Sequence, residues 1–147
     1  MDKKIMEMTV KELFEKYCGK YEDEEYNIHG HGFRLIPASE RELLQFRKNF
    51  EHYGVDKSVI DELEKYYSQS RSLFDYFNCD DIAMFDWWDE GDIWFGCLDD
   101  ESFIYDSNIH KYAIGEAGSH DIGEFDTFME MLEFYLKEGY DNGWNTN

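Results

Sequence analysis

Ile93-Trp94-Phe95-Gly96-Cys97-Leu98, the polar cluster Asp99-Asp100-Glu101-Ser102, and Phe103-Ile104-Tyr105 form the stretch on which the fold turns. Two runs of β-branched and aromatic residues separated by so short a polar break read as an antiparallel hairpin. Working outward, Asp106-Ser107-Asn108 leads to a further run, Ile109–Ile114, and Asp89-Glu90-Gly91-Asp92 follows an earlier one, Ile82–Trp88. Parallel neighbours need a crossover of about a dozen residues or more. Residues 82–114 are therefore expected to form a four-strand meander.

Upstream the period is helical. Thr9-Val10-Lys11-Glu12 and Ser39-Glu40-Arg41-Glu42 each match a capping box, in which the first side chain and the fourth satisfy each other's backbone donors. The first helix would carry Val10, Leu13, Phe14 and Tyr17 and fade at Gly19. The second would turn Leu43, Leu44, Phe46 and Phe50 inward and stop at Gly54. Asp56 is expected to cap a third, through Val59, Ile60, Leu63, Tyr66 and Tyr67. Between the first two helices, Glu22-Asp23-Glu24-Glu25 reads as a solvated loop. Downstream, Phe125, Phe128, Met129, Leu132, Tyr135 and Leu136 keep helical spacing, with Gly139 as the stop and a loosely held tail over 140–147. Helices, then a meander, then a helix predict an α+β fold in one domain, residues 1–147. Its mainly antiparallel sheet would pack against the N-terminal helices and the C-terminal one.

Charge is the second strong signal. The net charge of the chain is −20. Residues 1–71 hold 15 acids and 12 bases, whereas residues 72–147 hold 19 acids and only Lys111 and Lys137. Such a field repels nucleic acid and anionic lipid and attracts a cationic protein surface, although acidity also serves solubility alone. An aromatic share of 18% excludes a disordered chain. Cys18, Cys79 and Cys97 are odd in number and share no ligand spacing, which points to a reducing compartment. Lys3-Lys4 is followed by no apolar stretch, and no membrane-spanning run occurs. A cytoplasmic location is expected.

Motifs for catalysis are weak. His29-Gly30-His31-Gly32 lacks the third ligand of a metal site, and its glycines do not open a phosphate loop. Asp86-Trp87-Trp88-Asp89-Glu90-Gly91 fails as a calcium loop, because the bidentate glutamate's position falls on Cys97. Ser119-His120-Asp121 holds the three triad residue types in a row, but a working triad is assembled from separated positions. Adjacent acids such as Asp80-Asp81 and Asp99-Asp100 read as exposed turns. Neither catalysis, nor a cofactor, nor a metal is expected.

What remains is an aromatic cluster, Phe85, Trp87, Trp88, Trp94 and Phe95, around an acidic turn. Strand alternation would put Trp87 and Trp88 on opposite faces, and likewise Trp94 and Phe95. One face would be core, and the other would expose tryptophan beside carboxylates, the makeup of a binding hot spot. The expected partner-binding residues are Trp88, Asp89, Glu90, Asp92, Asp99, Asp100 and Glu101.

From about Leu35 to Leu136 the sequence resembles the SUKH superfamily of SMI1/KNR4-like proteins. Leu35-Ile36-Pro37-Ala38-Ser39 before Leu43-Leu44-Gln45-Phe46 is similar to that family's Leu-Pro and following acidic helix. Trp88, Ile93-Trp94-Phe95-Gly96 and Phe103-Ile104-Tyr105-Asp106 resemble its central hairpins. Phe125-Asp126-Thr127-Phe128-Met129-Glu130-Met131-Leu132 resembles its closing helix. Where the family often has Asn-Gly-Gly, this chain has Asn49-Phe50-Glu51-His52-Tyr53-Gly54. The resemblance implies a non-catalytic bacterial immunity protein that neutralises a cognate toxin domain, a cationic one such as a nuclease. Its partner would be a protein, with neither nucleic acid nor membrane involved. A regulatory scaffold, an acidic nucleic-acid mimic and an enzyme are the rival readings.

Overall fold

The computed structural model describes residues 7–22, 24–74 and 77–146, so Asp23 of the predicted acidic loop lies outside the described residues. In chain order the elements are α1 (Val10–Tyr17), β1 (Tyr26–Ile28), β2 (His31–Phe33), α2 (Glu40–His52), α3 (Lys57–Tyr67), β3 (Leu73–Phe74), a 3₁₀ segment (Ile82–Trp87), β4 (Asp92–Leu98), β5 (Glu101–Asp106), β6 (Lys111–Glu116), β7 (Gly123–Phe125) and α4 (Phe128–Asp141). The fold is α+β. None of the described helices is long and apolar enough to cross a membrane. The chain forms two compact units, Met1–Leu35 with Met129–Asn147, and Ile36–Phe128.

In the first unit, α1 opens on the predicted capping box: Thr9 Oγ1 accepts from Glu12 N, and Glu12 returns the bond to Thr9 N. Val10, Leu13, Phe14 and Tyr17 are buried, as their spacing requires. They share the unit with the β1–β2 hairpin and with Met131, Leu132, Tyr135 and Leu136 of α4. The chain end departs from the expectation. Asn145 is fully buried, its Nδ2 donating to Leu136 O (2.8 Å) and Tyr17 O (3.0 Å) while its Oδ1 accepts from His29 N (2.8 Å). A side chain with three such bonds is a latch, so the tail through Thr146 is held. Gly139 does not stop α4, which runs on to Asp141. It is glycine because a Cβ there would lie 2.1 Å from Asn145 Oδ1; the left-handed residue after the helix is Gly143, φ +76°.

In the second unit, Ser39 and Glu42 form the other capping box of α2. The left-handed Gly54 turns the chain into α3, whose N-cap Asp56 makes no side-chain capping bond. Arg47 ties the two helices together, Nη2 to Asp61 (2.7 Å) and Nη1 to Glu64 (2.9 Å). Strands β4, β5, β6 and β7 form a continuous antiparallel run, and β3 joins β4 in parallel, in the order β3-β4-β5-β6-β7. One sheet face holds Phe95 and Tyr112, with ring contacts to Phe128, the first residue of α4. Phe128 also meets Tyr66 of α3 (4.9 Å) and donates its N–H to Glu62 (3.2 Å).

Two element assignments change. Ile82–Trp88 is not a strand: Ile82–Trp87 is a 3₁₀ helix started by Asp81, whose carboxylate accepts from Ala83 N (2.9 Å). Three residues per turn put Phe85 and Trp88 on one side, their rings 4.6 Å apart and close to perpendicular, and Trp87 on another, where it is exposed; Ile82, at the start of the segment, is exposed as well. Phe125 belongs to β7, paired with Tyr112, and not to the closing helix. There the strand ladder prevails over a helical spacing that α4 keeps only from Phe128 onward.

Candidate functional site

β4 begins at Asp92 and ends at Leu98, so its ends lie roughly 20 Å apart at about 3.3 Å per residue. The acids expected to form one surface therefore divide into two groups. Asp89, Glu90 and Asp92 stand at one end and Asp99, Asp100 and Glu101 at the other.

The expected exposed face of β4 does not exist. Trp94 and Phe95 point to opposite faces, and they are 6% and 2% exposed. The face that was to carry tryptophan to solvent is covered twice. Trp87 stacks on Trp94 (5.6 Å, 26°) and Phe77 meets Trp94 edge-on (5.7 Å). Farther along, the β6–β7 connection folds back onto the sheet: Gly118 N donates to Ser102 Oγ (2.7 Å), and Ser102 Oγ donates to Gly115 O (3.0 Å). Gly115 permits this, because a Cβ there would lie 2.1 Å from Ser119 O. Of the clustered indoles the solvent-facing one is Trp87, 57% exposed. Trp88 is half-buried beside Phe50, Tyr53 and Phe85, and its Nε1 donates to Trp94 O (2.7 Å). Its role is to fasten the 3₁₀ segment onto β4.

Beside the stacked indoles lies a groove of about 510 Å³. Trp87, Trp94 and Cys97 line it together with Asp99, Asp100, Glu101 and Glu116, and no basic residue occurs among its described lining. Asp99 and Asp100 make the two-residue turn between β4 and β5, with Asp99 at φ +53°. Glu101 stands directly opposite Glu116 in the β5–β6 ladder. Like charges in directly opposed positions destabilise a sheet. Sequence reasoning placed Trp87 in the aromatic cluster but chose Trp88 for contact, and it missed Glu116; the missing signal for Glu116 is the strand register, which lies outside local patterning.

The other end is closed differently. The turn holds Gly91 at φ +81°, with Asp89 N and Asp92 N each donating to the other residue's carbonyl (3.2 and 2.7 Å). Asp92 faces Asp106 across β4–β5, again acid against acid. Burial, and then the Asp106 carboxylate, push the Asp92 carboxyl above its ordinary range, while His120 acts in the opposite sense. The folded-back connection delivers His120 to this point: its Nε2 is 3.5 Å from Asp106 Oδ2, and its Nδ1 is 2.6 Å from Glu124 Oε2. Asp92, Asp106 and His120 each place one ligand atom within 4.8 Å of the other two.

The remaining sequence motifs are structural. His29 stacks on Tyr135 (4.0 Å, 9°) with its Nε2 2.8 Å from Tyr135 O, so its ring is engaged within the first unit. Ser119 Oγ donates to Asp121 (2.5 Å) and not to His120, which dissolves the run of triad residue types. Burial above all pushes the Cys18 and Cys79 thiols up to about 12, the range of an inert thiol. Comparison with family models, with curated proteins and with solved structures finds no match.

Proposed function

We propose that this chain is a non-catalytic binding protein that receives a cationic protein surface in the groove beside Trp87. The observation that carries the reading is the Glu101–Glu116 pair at the groove, with Asp99 and Asp100 in the adjoining turn. Opposed glutamates cost stability. A lysine or arginine from a partner would relieve that repulsion, and the exposed Trp87 face beside it is a ready cation–π surface. The one-signed field of residues 72–147 would speed encounter, and burial of the indole would slow release. The carboxylates gather at two strand ends and not in one row, which favours a protein partner over the nucleic-acid mimic. The resemblance to the SUKH superfamily extends the proposal: the partner is a toxin domain, neutralised in the cytoplasm of the cell that makes this chain.

The test is stopped-flow association with the toxin domain encoded beside this chain's gene. Association is expected to slow as salt rises and the Debye length shortens to about 8 Å at physiological ionic strength. The triple change Asp99→Asn, Asp100→Asn, Glu101→Gln is expected to slow it in the same way, and Trp87→Ala to speed dissociation. Rates indifferent to salt and to these changes would remove the groove from the reading. A genome with no toxin-like neighbour would remove the immunity role alone.

A further inference from the structure

The geometry points to a divalent transition-metal site of the zinc class at the other end of the hairpin, with Asp92, Asp106 and His120 as its ligands. This site is separate from the groove and does not rest on the proposed function. Its donor set, one imidazole and two carboxylates, suits Zn²⁺ or Mn²⁺, and unlike a bare acidic cluster it discriminates against hard cations that prefer oxygen alone.

The histidine is held as a ligand is held. Glu124 Oε2 lies 2.6 Å from His120 Nδ1. An ionised carboxylate can only accept, so the proton of the neutral ring sits on Nδ1 and the lone pair on Nε2. That is the carboxylate–histidine arrangement that orients metal-binding imidazoles. Nε2 in turn stands 3.5 Å from Asp106 Oδ2, outside the 2.7–3.2 Å of a good N–H···O bond. Two ligand atoms at about 2.1 Å from a tetrahedral zinc ion are ~3.4 Å apart, so the separation is that of two corners around one ion. Asp92 completes the set from the opposing strand, its ligand atom within 4.8 Å of both others. The second oxygen of Asp106 is fixed by Asn108 N (2.9 Å), which leaves Oδ2 for the ion. Lys111, opposite Asp106 in the β5–β6 ladder, reaches Asp126 with its Nζ. Three protein ligands leave at least one coordination position for water or for a donor from another molecule.

Local spacing carries no sign of this site, because its ligands come from β4, β5 and a loop that only Gly115 allows to lie on the sheet. The rival is a protonated His120 that merely bridges Asp106 and Glu124. Isothermal titration of the full chain with ZnCl₂, with MgCl₂ as the control for diffuse attraction to its negative charge, separates the two. One equivalent of Zn²⁺ is expected to bind and raise the melting temperature. Asp92→Asn and His120→Gln are each expected to weaken binding at least tenfold, and Glu124→Gln about 10–100-fold. Circular dichroism melts confirm that each variant folds, and Co²⁺ in place of Zn²⁺ should show the d–d bands of a His–carboxylate site that His120→Gln abolishes. No one-equivalent binding, Mg²⁺ binding equally well, or Zn²⁺ affinity unchanged in folded Asp92→Asn and His120→Gln would overturn the site.

Discussion

At one end of β5 Asp106 stands opposite Asp92, and at the other Glu101 stands opposite Glu116. Each pair is a local cost to the sheet, since opposed like charges repel across about 5 Å. The costs are met differently. The Asp92–Asp106 pair has His120 brought to it and Glu124 behind the imidazole, a donor set that a divalent cation would complete. The groove around Glu101 and Glu116 has four carboxylates and an exposed indole in its lining and no basic side chain among its described residues. One acid pair has an imidazole beside it and the other lines a groove, which sets the proposed ion site apart from the proposed docking surface.

Trp87 and Trp88 sharpen that contrast, because adjacent residues serve the two purposes of anchoring and contact. Trp88→Ala removes an indole wedged between Phe50, Tyr53 and Phe85 and leaves Trp94 O without its donor. It is expected to cost about 2–3 kcal/mol in a urea melt, below the range for a fully buried aromatic because the indole is half-buried. Trp87→Ala is expected to cost under about 1 kcal/mol, as an exposed side chain does. Equal losses in the two variants would mean that Trp87 serves the fold and not the contact surface of the groove.

A second change addresses what joins the two ends. Gly115→Ala places a methyl group against Ser119 O and must lift the β6–β7 connection from the sheet. Overpacking of this kind costs about 1–3 kcal/mol. The resonances of His120 and Glu124 in an NMR spectrum are expected to shift while those of Asp99 and Asp100 stay in place. Shifts confined to the Asp99–Glu101 turn would show that the connection does not position His120.

The contrast itself was only partly readable in the sequence. Helix starts were, since Thr9 with Glu12 and Ser39 with Glu42 are local chemistry, and so were the central strands, whose β-branched and aromatic runs are contiguous. Ile82–Trp88 misled because a stretch of seven residues with six of them apolar fits a strand and a 3₁₀ helix equally until Asp81 is seen to cap it. The acidic residues were found as a group, but their division into two ends depends on the length of β4. Glu116, Asp106 and His120 entered through ladder register and a folded-back loop, neither of which leaves a periodic trace. Asn145 was missed for the same reason, because a polar residue near a chain end gives no local hint of burial.

Charge at the groove end can be tested by stability alone. Glu101→Gln removes one member of the Glu101–Glu116 pair and is expected to stabilise the folded chain by about 0.2–1 kcal/mol at low salt. Raising the salt of the wild-type sample should recover part of the same gain, since exposed repulsion is screened. A loss of stability on neutralisation would mean that Glu101 serves the fold, and the argument that its charge is kept for a partner would fail.

The smallest effect is expected at Asp99, and its smallness is what makes it useful. The residue sits at φ +53°, where an ordinary L-residue costs about 1–2 kcal/mol, Asp somewhat less, and glycine nothing. Asp99→Gly relieves that cost but gives the unfolded chain more freedom, worth about 0.5–1 kcal/mol in the opposite sense. Removing one negative charge from a crowded acidic turn adds a few tenths of a kcal/mol of stabilisation. These contributions nearly cancel, so the melting temperature is expected to stay within about 2 °C of the wild-type value. The turn keeps its geometry, because glycine is the residue such a two-residue connection prefers. Asp99→Gly therefore subtracts charge from the groove without disturbing its walls. Slower association with a cationic partner at unchanged stability would tie the groove's charge directly to encounter, while unchanged association would move the binding surface away from this turn.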